Sequence, residues 1–141
     1  MNKVNENKVS NIKIIKHFIK DLSFENLHKV NHDPINNKNS NIDLNMKAIY
    51  QPFNNDFFGL VLNYTFDCSS KESKEKLSHL ELDYFGFFKI LDPSNINQKN
   101  LTQNGLKLIY PFAKEIVENI TQKGGSVPII LNEIDFNILE I

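Results

Sequence analysis

Residues 57–90 read FFGLVLNYTFDCSSKESKEKLSHLELDYFGFFKI, and this stretch decides the fold. Phe58, Leu60, Leu62, Tyr64, Phe66 and Cys68 recur at every second position, the spacing that puts side chains on one face of a β-strand. The run SKESKEK (residues 70–76) is wholly polar and mostly charged, and predicts a solvated hairpin connection. After it the alternation resumes, with Leu80, Leu82 and Tyr84 on one side and His79, Glu81 and Asp83 on the other. Two such strands joined by so short a link pair antiparallel.

Working outward, IDLNMKAIY (residues 42–50) predicts the preceding strand, with Ile42, Leu44, Met46, Ala48 and Tyr50 in phase. Pro52 and the Asn54-Asn55-Asp56 run make the turn. Earlier still, IKIIKHFIKDLSF (residues 12–24) predicts the first strand. At its end, FIKDLSFEN (residues 18–26) puts Phe18, Leu22 and Phe24 on one side and Asp21, Ser23 and Glu25 on the other. The Asn-rich stretch with Pro34 between these strands predicts a polar loop. Residues 1–11 are polar and aperiodic, and are expected to be disordered ahead of a single domain over 12–141. None of the connections is long enough for a crossover helix, so the expectation is a four-stranded antiparallel sheet.

Past residue 100 the period changes to that of a helix. Leu101, Leu108, Phe112, Ile116 and Ile120 form one stripe; Leu106, Tyr110, Ala113 and Val117 form a second beside it. Lys123 followed by Gly124 and Gly125 is a helix stop, and Pro111 predicts a kink or break near residues 108–111. The remaining residues predict an extended piece and a short helix over Phe136–Ile141. The long helix is apolar over too wide an arc for one sheet to cover. The first stripe is therefore assigned to an interface between copies of the chain, and a symmetric oligomer is expected. The alternative is a helix enclosed within one subunit beneath the terminal segment.

The chain has 141 residues, 40% of them hydrophobic, enough for one core. Sixteen Lys and Arg stand against seventeen Asp and Glu, so no overall positive field draws the protein to nucleic acid or an anionic membrane. One cysteine, Cys68, excludes an internal disulfide and fits a reducing compartment. The polar N-terminus does not read as a signal peptide, and no apolar run reaches the roughly 20 residues of a membrane span. The expectation is a cytoplasmic protein that does not insert into membranes.

Catalytic and metal chemistry find little support. Asp21 and Glu25 lie roughly 13 Å apart along a strand, beyond the roughly 5–9.5 Å of paired glycosidase carboxylates. They fit an acidic ledge facing a basic surface, or simply a solvated strand face. His28 and His32 have the i, i+4 spacing of zinc ligands, yet NLHKVNHDPINN (residues 26–37) has no helical period and no Glu follows His28. A small metal-dependent enzyme using these two histidines is the weakest reading. Cys68 has no base beside it and reads as packing. No cofactor and no catalytic residue is expected.

FIKDLSFEN (residues 18–26) resembles the opening strand of the SecB export-chaperone family, where a Lys-Asp-aliphatic-Ser-Phe-Glu core is typical. LIYPFAKEIVENITQKGGSVPIILNEIDF (residues 108–136) resembles its later signature, down to the mid-helix proline, and IDLNMKA (residues 42–48) matches its second strand in pattern. The resemblance implies an α+β subunit with a four-stranded antiparallel sheet, one long kinked helix and a short C-terminal helix, assembled as a homotetramer, a dimer of dimers. It implies an ATP-independent chaperone that binds unfolded secretory precursors and passes them to the SecA translocation ATPase, or a relative dedicated to one partner such as an antitoxin. The family's SecA contact carries over to Asp21, Glu25 and Glu81. Candidates for the groove that holds unfolded clients are Ile42, Leu44 and Met46, with Leu131, Phe136 and Leu139. The sequence departs from the family at His79, where an aliphatic residue is usual, and at Leu106, where a proline is common. Many relatives carry an acidic tail beyond the position of Ile141, so the sheet face is expected to supply most of the SecA contact here.

Overall fold

The structure is a computed structural model, and it describes residues 8–9, 11–28, 38–94 and 96–125. Four long strands form an antiparallel sheet: β2 (Ile12–Asn26), β3 (Ser40–Pro52), β4 (Phe57–Ser70) and β5 (Lys76–Ile90). A two-residue strand, β1 (Lys8–Val9), pairs with Ile12 and Lys13, so residues 1–11 are not wholly without structure as the sequence suggested. The sheet order is β1-β2-β5-β4-β3. Strands β3, β4 and β5 therefore form a meander, and β2, the first long strand, pairs with β5, the last.

Local chemistry sets the turns. Asn54 accepts hydrogen bonds from the amides of Asp56 and Phe57, closing the β3–β4 hairpin with its own side chain. The charged run 71–75 closes β4–β5, with Lys74 in the left-handed region at φ 60°. One helix, α1 (Gln98–Lys123), covers one face of the sheet. Asn97 caps its start by accepting from the Asn100 amide at 3.1 Å. Its end is closed by the Gly124 amide donating to Ile120 at 2.8 Å, with Gly125 at φ 70° turning the chain away.

The helix does not break at Pro111; it runs as a single element from 98 to 123. Pro111 lies on the exposed side. There the loss of one backbone donor is tolerated because packing of the opposite face holds both halves.

The core lies between sheet and helix. Phe58, Leu60, Leu62, Tyr64, Phe66 and Cys68 of β4 are all fully enclosed, as their phase predicts, against Leu80, Leu82 and Phe88 of β5 and Leu106, Ile109 and Val117 of α1. Burial pushes the Cys68 thiol up, with weaker opposing hydrogen bonds from Ser40 and Ser78, which fits packing. Two expectations for the first helix stripe are corrected here. Leu101 and Leu108, assigned to an interface between copies, are enclosed within the subunit's own core. The helix packs closely enough on the sheet to bury flanking positions; Phe112, at 41% exposure, with the half-buried Ile116 and Ile120, is what remains of that stripe.

Polar groups drawn into this layer are mostly satisfied. Thr102 and Thr121 donate to the carbonyls of Gln98 and Val117, and Asn104 bonds Asn100 and Asn11, tying the helix start to the entry of β2. The hydroxyl of Tyr64 is the exception: it is buried with no hydrogen-bond partner among the described residues. Burial, with smaller contributions from Tyr110 and Glu118, pushes this phenol far above its ordinary value. Tyr64→Phe removes that uncompensated group and keeps the ring. We expect it to leave stability unchanged or raise it by up to about 1 kcal/mol, read as the urea midpoint; a loss beyond that would show that the hydroxyl is bonded.

Candidate interaction surfaces of the sheet

The face of the sheet away from α1 collects the acids. Directly opposed residues of antiparallel strands point to the same side, so register alone builds this surface. Asp21 stands opposite Asp83, Ser23 opposite Glu81, and Glu25 opposite His79. Glu81 thus lies one strand over and midway between Asp21 and Glu25, which are roughly 13 Å apart at the rise of a strand. All three are exposed. The three acids assigned by resemblance form one triangle on one face.

Neighbours complete the patch. Asp83, which alternation placed on the Glu81 face without a role, accepts from the Asn63 amide at 2.7 Å. His79 Nδ1 lies 2.7 Å from Asp67 and its Nε2 3.7 Å from Glu81, while Lys76 reaches Asp67 at 3.4 Å. Burial works to raise the Asp67 carboxyl, but the hydrogen bonds and charges of His79 and Lys76 outweigh it and hold the group below its ordinary value. His79, in place of the usual aliphatic residue, therefore ties the Glu81 corner to β4.

The sequence misjudged Phe18. Two bulges interrupt the pairing of β2 with β5, between Ile14 and Lys16 and between Ile19 and Asp21. Each extra residue inverts the alternation. Ile12 and Ile14 face the helix, as do His17 and Ile19 and then Leu22 and Phe24, while Phe18 pairs with Phe85 and shares the outer face with the acids. On the helix side, His17 Nδ1 hydrogen-bonds the Tyr84 hydroxyl and its ring lies 4.1 Å from that of Phe112.

The second surface lies on the helix side, along edge strand β3. Ile42 and Leu44 point to that side opposite the buried Cys68 and Phe66, yet remain 39% and 41% exposed. Met46 is half-buried against the core. Leu131, Phe136 and Leu139, the other groove candidates, and the terminal helix expected over Phe136–Ile141 lie outside the described residues.

The proposed metal pair gains nothing. His28 lies two residues past the end of β2 in irregular backbone, its amide donating to the Asn26 side chain, and His32 is outside the described residues. Among the described residues no group of three or more His, Cys, Asp or Glu is placed to hold a metal, and no helix is long and apolar enough to cross a membrane.

Known proteins share this sequence and shape. The sequence profile of the family described as preprotein translocase subunit SecB matches residues 5–139. The protein-export protein SecB of Bartonella quintana is 31% identical over 127 residues, covering 89% of this chain and 79% of that protein. That of Bartonella bacilliformis is 29% identical over 136 residues, covering 94% and 82%. Among solved structures, a Mycobacterium tuberculosis SecB-like chaperone in complex with a ChAD peptide from an antitoxin superposes with a TM-score of 0.70, at 12% identity, over 89% of this chain and 91% of that one. The first two relatives share sequence along nearly the whole chain; the third shares the fold. The chain belongs to the SecB family, whose members are chaperones of protein export and not enzymes.

Proposed function

We propose that this protein is an ATP-independent holdase of the cytoplasm, a homotetramer that keeps secretory precursors unfolded and delivers them to SecA. The observation that carries the reading is the separation of two surfaces. Asp21, Glu25 and Glu81 converge on the outer face of the sheet, while Ile42 and Leu44 are exposed on the opposite side. A client held on the helix side leaves the acidic face open to a basic partner.

Holding follows from area and multiplicity. An unfolded chain exposes apolar segments, and burying them gains about 25 cal/mol per Å². Each groove contact can be weak and tolerant of sequence, because a long chain that reaches several subunits binds the later ones at high effective concentration. Ordering the client lowers its affinity per unit area, which permits release without nucleotide. Met46 suits such a surface, since an unbranched thioether adapts to varied partners. Phe112, Ile116 and Ile120 are the apolar helix positions left for a neighbouring subunit to cover.

The test joins assembly to activity. Light scattering should give about four times the subunit mass, and the purified protein should retain a reduced, unfolded polypeptide without nucleotide. Ile42→Ser with Leu44→Ser should weaken that retention about thirtyfold, the loss of two apolar anchors of roughly 1 kcal/mol each, with the mass unchanged. A monomer that ignores unfolded polypeptide would refute the reading. The dedicated-partner alternative draws on the antitoxin peptide bound by the structural relative; one dominant partner recovered from the native cytoplasm, in place of many signal-bearing precursors, would favour it.

A further inference from the structure

The outer face of the sheet carries more than acids. Along the strands it divides into three bands. Lys13 and Lys89 stand opposite each other at one end, with Lys16 one row further in. Next comes an aromatic band: Phe18 packs at a tilt against Phe85 at 5.0 Å between ring centroids, Phe57 lies parallel to Phe87 at 5.4 Å, and Phe53 meets Phe87 edge-on at 5.7 Å. The third band holds Asp21 and Asp83, with Lys47 on the same row of β3, then Glu81, then Glu25, with Asp67 and Asp43 on its row, so acids outnumber lysines there.

The aromatic band is wide and accessible. Phe53 is 69% and Phe18 45% exposed, and Ile49 extends the band onto β3 at 49%. The rings are numerous enough to bury Val61, an outer-face residue of β4, to 3%. Sheet faces that meet only water alternate apolar-in, polar-out. At Phe57, Phe85 and Phe87 that alternation fails, so both faces of the sheet are apolar over these rows. An exposed apolar area of this kind marks a contact surface.

Charge selects the occupant. The acidic band abuts the rings on one side and favours cations there; Lys13, Lys16 and Lys89 bound them on the other and repel cations, with Lys16 already over the Phe87 ring at 5.7 Å. A segment with basic residues followed by apolar ones fits in one direction only. The aromatic rows from Lys89 to Phe85 span roughly 13 Å of strand, about the length of nine residues of helix. We propose that the outer face docks a polypeptide segment in which two or three Lys or Arg precede a block of about ten apolar residues, the order found at the start of secretory precursors. The proposal rests on the holdase reading and adds a second, directional site to it. Because the same acids face SecA in that reading, SecA and the segment would exclude one another on a given subunit.

The probe is a fluorescein-labelled peptide of Lys-Lys-Arg followed by ten Leu and Ala residues, titrated against the full chain. Phe18→Ser with Phe53→Ser should weaken binding about tenfold, as expected for two exposed ring anchors. Phe53→Ser alone, at the most exposed ring, should give about a threefold loss. A peptide with Glu in place of the three basic residues should bind at least about tenfold more weakly at low salt. Wild-type affinity in the Phe18/Phe53 variant or equal binding of the Glu peptide would each overturn the proposal. Retention of an unfolded polypeptide without such a segment, measured alongside, separates this failure from failure of the holdase reading.

Discussion

Asp21→Asn combined with Glu25→Gln should weaken SecA binding about tenfold or more near 0.05 M salt, with retention of unfolded polypeptide unchanged. Both substitutions keep the shape of the side chain and remove its charge. Both sites are exposed at the edge of the sheet and support no packing, so stability should stay within about 0.5 kcal/mol of wild type. The expected loss comes from two charges that would otherwise face a basic partner across a shared patch. Exposed charges act over a Debye length of about 8 Å at physiological salt. Wild-type affinity should therefore fall as salt is added, and the variant's should fall less. Glu81→Gln alone should lie between them, since it removes one charge of the three that share the patch. Undiminished SecA affinity in the double variant, measured by calorimetry at low salt, would remove the acidic face from the docking step.

Gly86→Val should destabilise the fold by about 3 kcal/mol or more. Gly86 lies on the helix side of β5, opposite His17 and Leu60. A Cβ there would stand 2.8 Å from Ile109 Cγ2 and 2.8 Å from the Phe88 ring. Neither neighbour has room to yield, because both are fully enclosed. Gly105, on the helix, lies against the same ring, with Leu60 at 3.0 Å from its notional Cβ. Two glycines, one on the strand and one on the helix, thus make the space that Phe88 fills, and this lets α1 approach the sheet closely. A branched side chain at Gly86 must push the helix outward or force Phe88 from its rotamer; overpacking of this kind costs about 1–3 kcal/mol even where some relaxation is possible. The check is the urea midpoint at fixed protein concentration, since oligomerisation shifts apparent stability. Gly59→Ala, on the outer face where Phe85 has solvent to move into, should cost less than 1 kcal/mol. Equal losses at the two positions would show that the helix–sheet gap is not what limits Gly86.

Much of the architecture could be read directly from alternation. Strands β3, β4 and β5 end within two residues of their expected limits, because hydrophobic residues at every second position admit few other backbones. The helix is legible from its own period and its Gly124 stop, while its first turn and Asn97 cap lie ahead of the expected start at Leu101. The candidate docking acids were visible as a pattern, but their meeting was not. Nothing within β2 or β5 tells which residue of one strand stands opposite which residue of the other. The pairing of the first strand with the last, and the row that sets Ser23 beside Glu81, bring the triangle together. The aromatic band left a trace that could have been followed: Phe85 and Phe87 occupy the phase that carries His79, Glu81 and Asp83 earlier in the strand.

Sequence alone settles which segments are the four long strands, where the helix lies, and which residues of β3, β4 and β5 look inward, since each of these depends on the spacing of residues within one element. Tertiary packing decides the rest. The bulge between Ile14 and Lys16 turns Phe18 outward, the one between Ile19 and Asp21 returns Leu22 and Phe24 to the helix side, and the close packing of α1 on the sheet encloses Leu101 and Leu108 within the subunit. Both outcomes depend on contacts between distant parts of the chain, where a shift of one position reverses a side chain and no local period records it.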